Sequence, residues 1–197
     1  NALIDFSNDE INIKKCFAKV NSQPVKLTGT IDKTAYGNLI LSAQNLDLNH
    51  IMNAFEVLKP QKNMTVTSGK LFLNIKLQGK LDKAKPQIDA KILNFSGSET
   101  TNKIKISIKE ILVSATSTKE NYSGKIKINN FLLKQKDIPN SSDSVKSQNI
   151  TAEFDKDNIL IHPSKINLGN AKITLKGEIK NYLGRPETIL DAGGTID

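Results

Sequence analysis

The sequence predicts an all-β protein: an elongated, curved and mainly antiparallel sheet of repeated hairpins, with one short amphipathic helix. Three observations carry this. Apolar and polar residues alternate at period two through most of the chain. In residues 71–81, Leu71, Leu73, Ile75, Leu77 and Leu81 are interleaved with Asn74, Lys76, Gln78 and Lys80, the pattern of a strand with one buried face. A phrase of the form apolar-x-Leu-x-Gly-x-apolar recurs around Gly29, Gly79 and Gly177, with a weaker copy at Gly124. Self-similarity at about 50 residues marks a repeat-built body. Helical periodicity occurs once, in residues 48–58.

Residues 2–6 and 11–13 are short alternating runs separated by Ser7-Asn8-Asp9-Glu10, which reads as a hairpin. Cys16, Ala18 and Val20 read as a continuation of the alternation. Asn21-Ser22-Gln23-Pro24 breaks it before the first glycine phrase, and the proline suits the start of a strand. Each clear phrase leads through a polar loop into another strand: residues 32–37 into 39–43, 82–86 into 88–95, and 180–186 into 188 onward. Leu48, Ile51, Met52, Phe55 and Leu58 fall at helical spacing, Pro60 ends the run and residues 45–47 offer a cap. A lone helix of this kind is expected to lie on the sheet or plug one end.

Ile104, Ile106 and Ile108 occupy one register and Ile111, Val113 and Ala115 the other, so a bulge or tight bend is expected near Lys109-Glu110. A similar slip separates Ile126 and Ile128 from Phe131 and Leu133, at Asn129-Asn130. Residues 134–147, polar and containing Pro139, read as a loop. Strands resume at Ile150, Ala152 and Phe154, turn at residues 155–158, and continue through Ile159, Ile161, Ile166 and Leu168 to the last glycine phrase. The expectation is one repeat-built β domain over residues 1–197, excised from a longer protein, since the chain starts at Asn1 without Met and ends within a strand pattern.

The net charge is +8, and Arg185 is the only arginine. Lysine on solvent faces and strand edges accounts for the excess, where it also blocks edge-to-edge pairing. Nucleic-acid surfaces favour arginine for bidentate contacts, so no nucleic-acid partner is expected. Cys16 stands alone, which excludes an intrachain disulfide and a cysteine-rich metal site. His50 and His162 have no metal-ligand spacing. The chain has no Gly-x-Ser-x-Gly elbow, phosphate loop or dinucleotide fingerprint. Asp155-Lys156-Asp157-Asn158 lacks the glycine and distal glutamate of a calcium loop. No enzyme activity, catalytic residue, metal or cofactor is therefore expected. No run of about 18 apolar residues is present to span a bilayer.

Leu27-Thr28-Gly29-Thr30-Ile31 followed by Leu39-Ile40-Leu41-Ser42-Ala43-Gln44-Asn45-Leu46-Asp47-Leu48 resembles phrases of the bacterial AsmA-like superfamily, which includes the TamB and YhdP relatives. Ser68-Gly69-Lys70-Leu71-Phe72-Leu73 and Gly169-Asn170-Ala171-Lys172-Ile173-Thr174-Leu175-Lys176-Gly177 are similar to further phrases of the same kind. The resemblance implies a non-enzymatic cell-envelope protein that projects into the periplasm. Its inner-membrane anchor would lie in a part of the protein outside this chain. It also implies a long open β-groove with an aliphatic interior, for movement of phospholipid, or another acyl-chain ligand, toward the outer membrane.

The residues themselves leave the form open. An Ile/Leu face must either pack against a second sheet, as in a structural or adhesive repeat with a closed core, or remain a groove. A lipopolysaccharide-transport-type β-jelly-roll is a further alternative. In a groove the best candidates for the lining are Leu73, Ile75, Leu77, Ile104, Ile106 and Ile108, since alternate strand positions share a face. Asn74, Lys76, Lys105 and Ser107 would then point away from it.

Overall fold

The period-two runs become twelve strands in a computed structural model that describes residues 1–20, 22–54, 63–117, 121–135 and 144–196. They are β1 (Ala2–Phe6), β2 (Glu10–Val20), β3 (Gln23–Asp32), β4 (Tyr36–Asp47), β5 (Met64–Lys80), β6 (Lys85–Glu99), β7 (Ile104–Ser117), β8 (Tyr122–Gln135), β9 (Ser144–Phe154), β10 (Asn158–Leu168), β11 (Ala171–Lys180) and β12 (Glu187–Ile196), with helix α1 (Leu48–Ala54) between β4 and β5. Every strand pairs antiparallel with its neighbours in chain order, which makes one meander sheet with β1 and β12 at its edges. At about 4.8 Å per strand the sheet is some 50 Å across. Its accessible surface is 13202 Å², against about 9,200 Å² expected of a globular chain of this mass. The excess is what an open single layer exposes.

Local side-chain chemistry closes the hairpins. Ser7 Oγ accepts from the Glu10 amide at 3.0 Å and donates to its carbonyl at 3.0 Å. Asp32 Oδ1 accepts from Thr34 Oγ1 at 2.7 Å, the Thr34 amide at 2.8 Å and the Tyr36 amide at 2.9 Å. Asp155 Oδ1 accepts from the amides of Asp157 and Asn158, each at 2.8 Å, so residues 155–158 are a hairpin turn, as expected. Hydrogen bonding to the ionised form holds both aspartates below the usual carboxylate range.

Helix α1 begins where expected, with Asp47 Oδ1 accepting from the Asn49 amide at 3.2 Å. Residues 55–58 of the expected helix lie outside the described residues. Ile51 packs on Ala43 and Leu46, with Val25, Leu71 and Leu73 around them, so the helix covers part of the sheet's apolar face.

Two sequence expectations need correction. Residues 134–147 are not all loop, because β8 continues through Gln135 and β9 starts at Ser144. Ser147 is 4% exposed and donates to the Lys165 carbonyl at 2.8 Å, so a polar residue occupies an inward position with its hydrogen bond satisfied. Residues 136–143 lie outside the described residues. The alternation in β2 also does not run on unbroken. Its register shifts between Ile13 and Cys16, which brings Ile11, Ile13, Cys16 and Ala18 onto one face.

That face can be traced through the whole sheet. Ile111 pairs with Ile128, Ile128 with Ile150, and Ala152 with Ile161, which pairs with Gly177. The regular strand β11 carries the same face to Leu175, Ile173 and Ala171, which meet Ser164, Ile166 and Leu168. Leu168 meets Val145, Val145 meets Leu133, and Leu133 meets Ile106. The circuit returns to β7 on the face from which it left. Ile108 and Ile111 therefore share a side.

Candidate functional site

The inward positions form continuous aliphatic rows across the sheet. One runs Val25, Ala43, Leu73, Ala90, Val113, Ile126, Ala152, Ile161, Gly177 and Leu190 through ten successive strands. A second runs Leu46, Leu71, Ile92, Ile111, Ile128 and Ile150. Among the paired inward positions the one charged side chain is Glu99, at a rim, where it accepts from the amides of Thr101 and Asn102 at 2.8 and 2.6 Å.

Curvature turns this face into a trough. Ile104, Ile106 and Ile108 are half-buried or buried, while Lys105, Ser107 and Lys109 between them are exposed. Ile126 and Lys127, and Leu175 and Lys176, show the same contrast. A flat single layer would expose both faces alike, so the sheet is concave on the aliphatic side. Apart from α1, no element among the described residues covers that side.

The curvature has a local cause. Register shifts or left-handed residues interrupt β4 near Asn45 (φ 59), β5 at residues 66–70, β6 at Asn94 (φ 51), β8 at Asn130 (φ 53) and β10 at residues 161–164. In β5, β6 and β8 these breaks stand side by side as a crease, with Lys109 of β7 between Asn94 and Asn130. Asparagine tolerates the left-handed region better than most residues, and bulges bend and twist the strands that carry them. The places expected to slip, Lys109-Glu110 and Asn129-Asn130, fall in this crease, where Asn130 is left-handed and the pairing register does not shift.

The repeated glycines sit at one end of the strands, on the inward face. Gly29 has φ +134, and a Cβ there would lie 2.0 Å from the Asn38 carbonyl oxygen. At Gly124 a Cβ would meet the Ser114 carbonyl oxygen at 2.2 Å and the Phe154 ring at 2.6 Å. These glycines permit close backbone and ring approach along that rim. They fall on β3, β5, β8 and β11, so the sequence repeat does not correspond to a constant number of strands.

All six lining candidates are inward, but they form two groups. Leu73, Ile75 and Leu77 lie on β5 on one side of the crease, whereas Ile104, Ile106 and Ile108 lie on β7 on the other. Leu73 is followed across β6 by Val113, and Ile75 by Ala115. Ile108 is 8% exposed and pairs with Phe95 and Phe131. The candidate lining left out Phe95, Val113, Phe131 and Ile166, which belong to the same surface. Their signal was the same alternation, interrupted by bulges that a simple period-two count does not cross.

The opposite, outer wall is mainly polar, with Ile40, Phe72, Leu93, Leu112 and Leu132 set among its charges. Across its upper half, on the side of the crease that holds the 155–158 turn, three lysines are paired with carboxylates. Lys125 Nζ lies 2.8 Å from Glu153 Oε1, Lys176 3.2 Å from Asp191, and Lys91 3.0 Å from Glu110. Lys125 holds Glu153 below the usual carboxylate range. Asn129, which donates at 2.7 Å, and then Lys91 do the same for Glu110. His162 Nε2 stands 3.7 Å from Glu153. No family model, curated protein or solved structure matches the chain. Among the described residues no three His, Cys, Asp or Glu side chains gather as a metal site, and no helix is long and apolar enough to cross a membrane.

Proposed function

We propose that this chain binds or conducts lipid acyl chains, without catalysis, in the aliphatic trough of its sheet. The observation that carries the reading is the unbroken apolar row from Val25 to Leu190, without a second sheet over it among the described residues. An acyl chain laid in such a trough gains about 0.8 kcal/mol per methylene buried. It needs no directional contacts, and the trough offers few. The row runs across the strands, so a chain lying along it could pass from strand to strand over roughly 50 Å. Together with the AsmA-like phrases, this favours a segment of a periplasmic, inner-membrane-anchored bridge that carries phospholipid toward the outer membrane.

The competing reading is a structural or adhesive repeat whose apolar face is consumed in a closed core. Native mass spectrometry after gentle purification tests the proposal. Co-purifying phospholipid or fatty acid supports the trough. Ligand-free protein that also refuses a fluorescent fatty acid supports the closed core.

A further inference from the structure

The outer wall divides sharply in charge at the crease. Below it, β7 to β11 contribute residues 104–109, 131–135, 144–149, 163–168 and 171–175, which contain no Asp or Glu. They carry Lys105, Lys109, Lys134, Lys146, Lys165 and Lys172, all exposed. Lys105 and Lys134 are direct cross-strand partners, an arrangement that repels unless an anion lies over it. Lys146 and Lys172 flank Asn167 on either side. Above the crease the same wall carries acidic residues as well, and Lys125, Lys176 and Lys91 are each matched to a carboxylate, while Lys76 and Lys127 form no ion pair among the described residues. Decoration for solubility alone would not sort the two halves in this way.

From this segregation we infer that the lower outer wall is a docking surface for an anionic phospholipid bilayer. Three features favour a membrane over other polyanions. The field is made of lysines, which act as point charges, without the arginine forks of nucleic-acid surfaces. At its centre is a hollow of about 630 Å³ whose lining sets Ser107, Lys109, Lys146 and Asn167 beside the apolar side chains of Phe95 and Phe131. Hydroxyls, amides and ammonium groups without a carboxylate suit phosphate and polyol headgroups. The field also ends at a rim where Leu168 is 49% exposed, so an apolar side chain is available to enter the interface beside the lysines. Docking in this orientation brings the rim of the trough to the bilayer surface. The inference does not depend on the trough holding acyl chains.

The test is flotation of the protein with phosphatidylcholine vesicles, with and without a third of phosphatidylglycerol. The variants are Lys105→Gln/Lys134→Gln/Lys146→Gln and, as a control from the upper wall, Lys125→Gln/Lys127→Gln/Lys176→Gln. Both sets are exposed and remove the same charge. The parent should float only with the anionic vesicles and lose binding as salt rises. The lower-wall variant should bind about a hundred-fold more weakly, at about fivefold per lysine, and the upper-wall control no more than about fivefold more weakly. Three results would overturn the inference: equal binding to both vesicle types, equal loss in the two variants, or displacement from vesicles by an RNA oligonucleotide at equal phosphate concentration. Fatty-acid uptake by a protein that ignores anionic vesicles would remove the docking surface and leave the acyl-chain reading standing.

Discussion

Ile108 and Ile111 stand three residues apart on β7 and project from the same face of the sheet. Ile108 pairs with Phe131 and Ile111 with Ile128, and the strand steps between them at Lys109-Glu110. Without such steps, half of each long strand would turn its Ile and Leu side chains to the outer wall. The crease therefore makes one continuous trough from sequence segments of opposite register.

The crease predicts a selective response at Asn130. With φ 53, this position disfavours a β-branched side chain. Asn130→Val should cost about 1–2 kcal/mol, whereas Asn130→Gly should be close to neutral. Urea denaturation of the two variants checks this.

The glycine rim predicts a contrast between two conservative changes. Gly29→Ala combines a φ that only glycine adopts freely with a 2.0 Å approach to the Asn38 carbonyl oxygen, and should destabilise by about 2 kcal/mol or more. A Cβ at Gly193 meets nothing within 4 Å, so Gly193→Ala should stay within about 0.5 kcal/mol of the parent. Thermal unfolding followed by circular dichroism distinguishes them.

Stability should fall at both extremes of pH. Glu110 and Glu153 have folded pKa values below the ordinary 4.5, and Asp32 and Asp155 below 3.8. Their contribution is complete above those ordinary values and is lost as pH falls through the depressed ones. At the alkaline end, burial and then the hydrogen bond with Tyr122 push Tyr182 from 10.0 up to about 12. Its hydroxyl lies 3.0 Å from that of Tyr122 and donates to the Asp155 carbonyl at 2.9 Å. The neutral phenol is favoured in the fold, so its contribution is intact below pH 10 and fades as pH rises toward about 12. The melting temperature against pH should show both shoulders, and Tyr182→Phe should flatten the alkaline one.

Much of the sheet was legible because its faces differ so strongly in polarity. The hairpin turns, the crease positions Lys109-Glu110 and Asn129-Asn130, and the cap at Asp47 all follow from local residue chemistry. The slip between Ile13 and Cys16 and the breaks near Asn45 and at residues 161–164 were missed. A bulge there costs only one or two polar residues, and the apolar count on either side looks uninterrupted. The strand start at Ser144 was missed for another reason: Ser144 and Ser147 are small and polar, yet both are buried. The grouping of Leu73 with Val113, and of Ile108 with Phe95 and Phe131, depends on register between distant segments, which a single sequence does not display.

The central claim, that the aliphatic face holds acyl chains, is tested most directly by fluorescent fatty-acid titration of Ile106→Asp beside Ser107→Asp, with folding checked by circular dichroism. These neighbours lie on opposite faces of β7, and the charge introduced is the same. In an open trough the new carboxylate at residue 106 stays hydrated, so both variants should fold. Uptake should fall sharply in Ile106→Asp and match the parent in Ser107→Asp. Parental uptake by folded Ile106→Asp would contradict the account. So would unfolding of Ile106→Asp alone, the result expected when an unpaired charge is forced into a closed core.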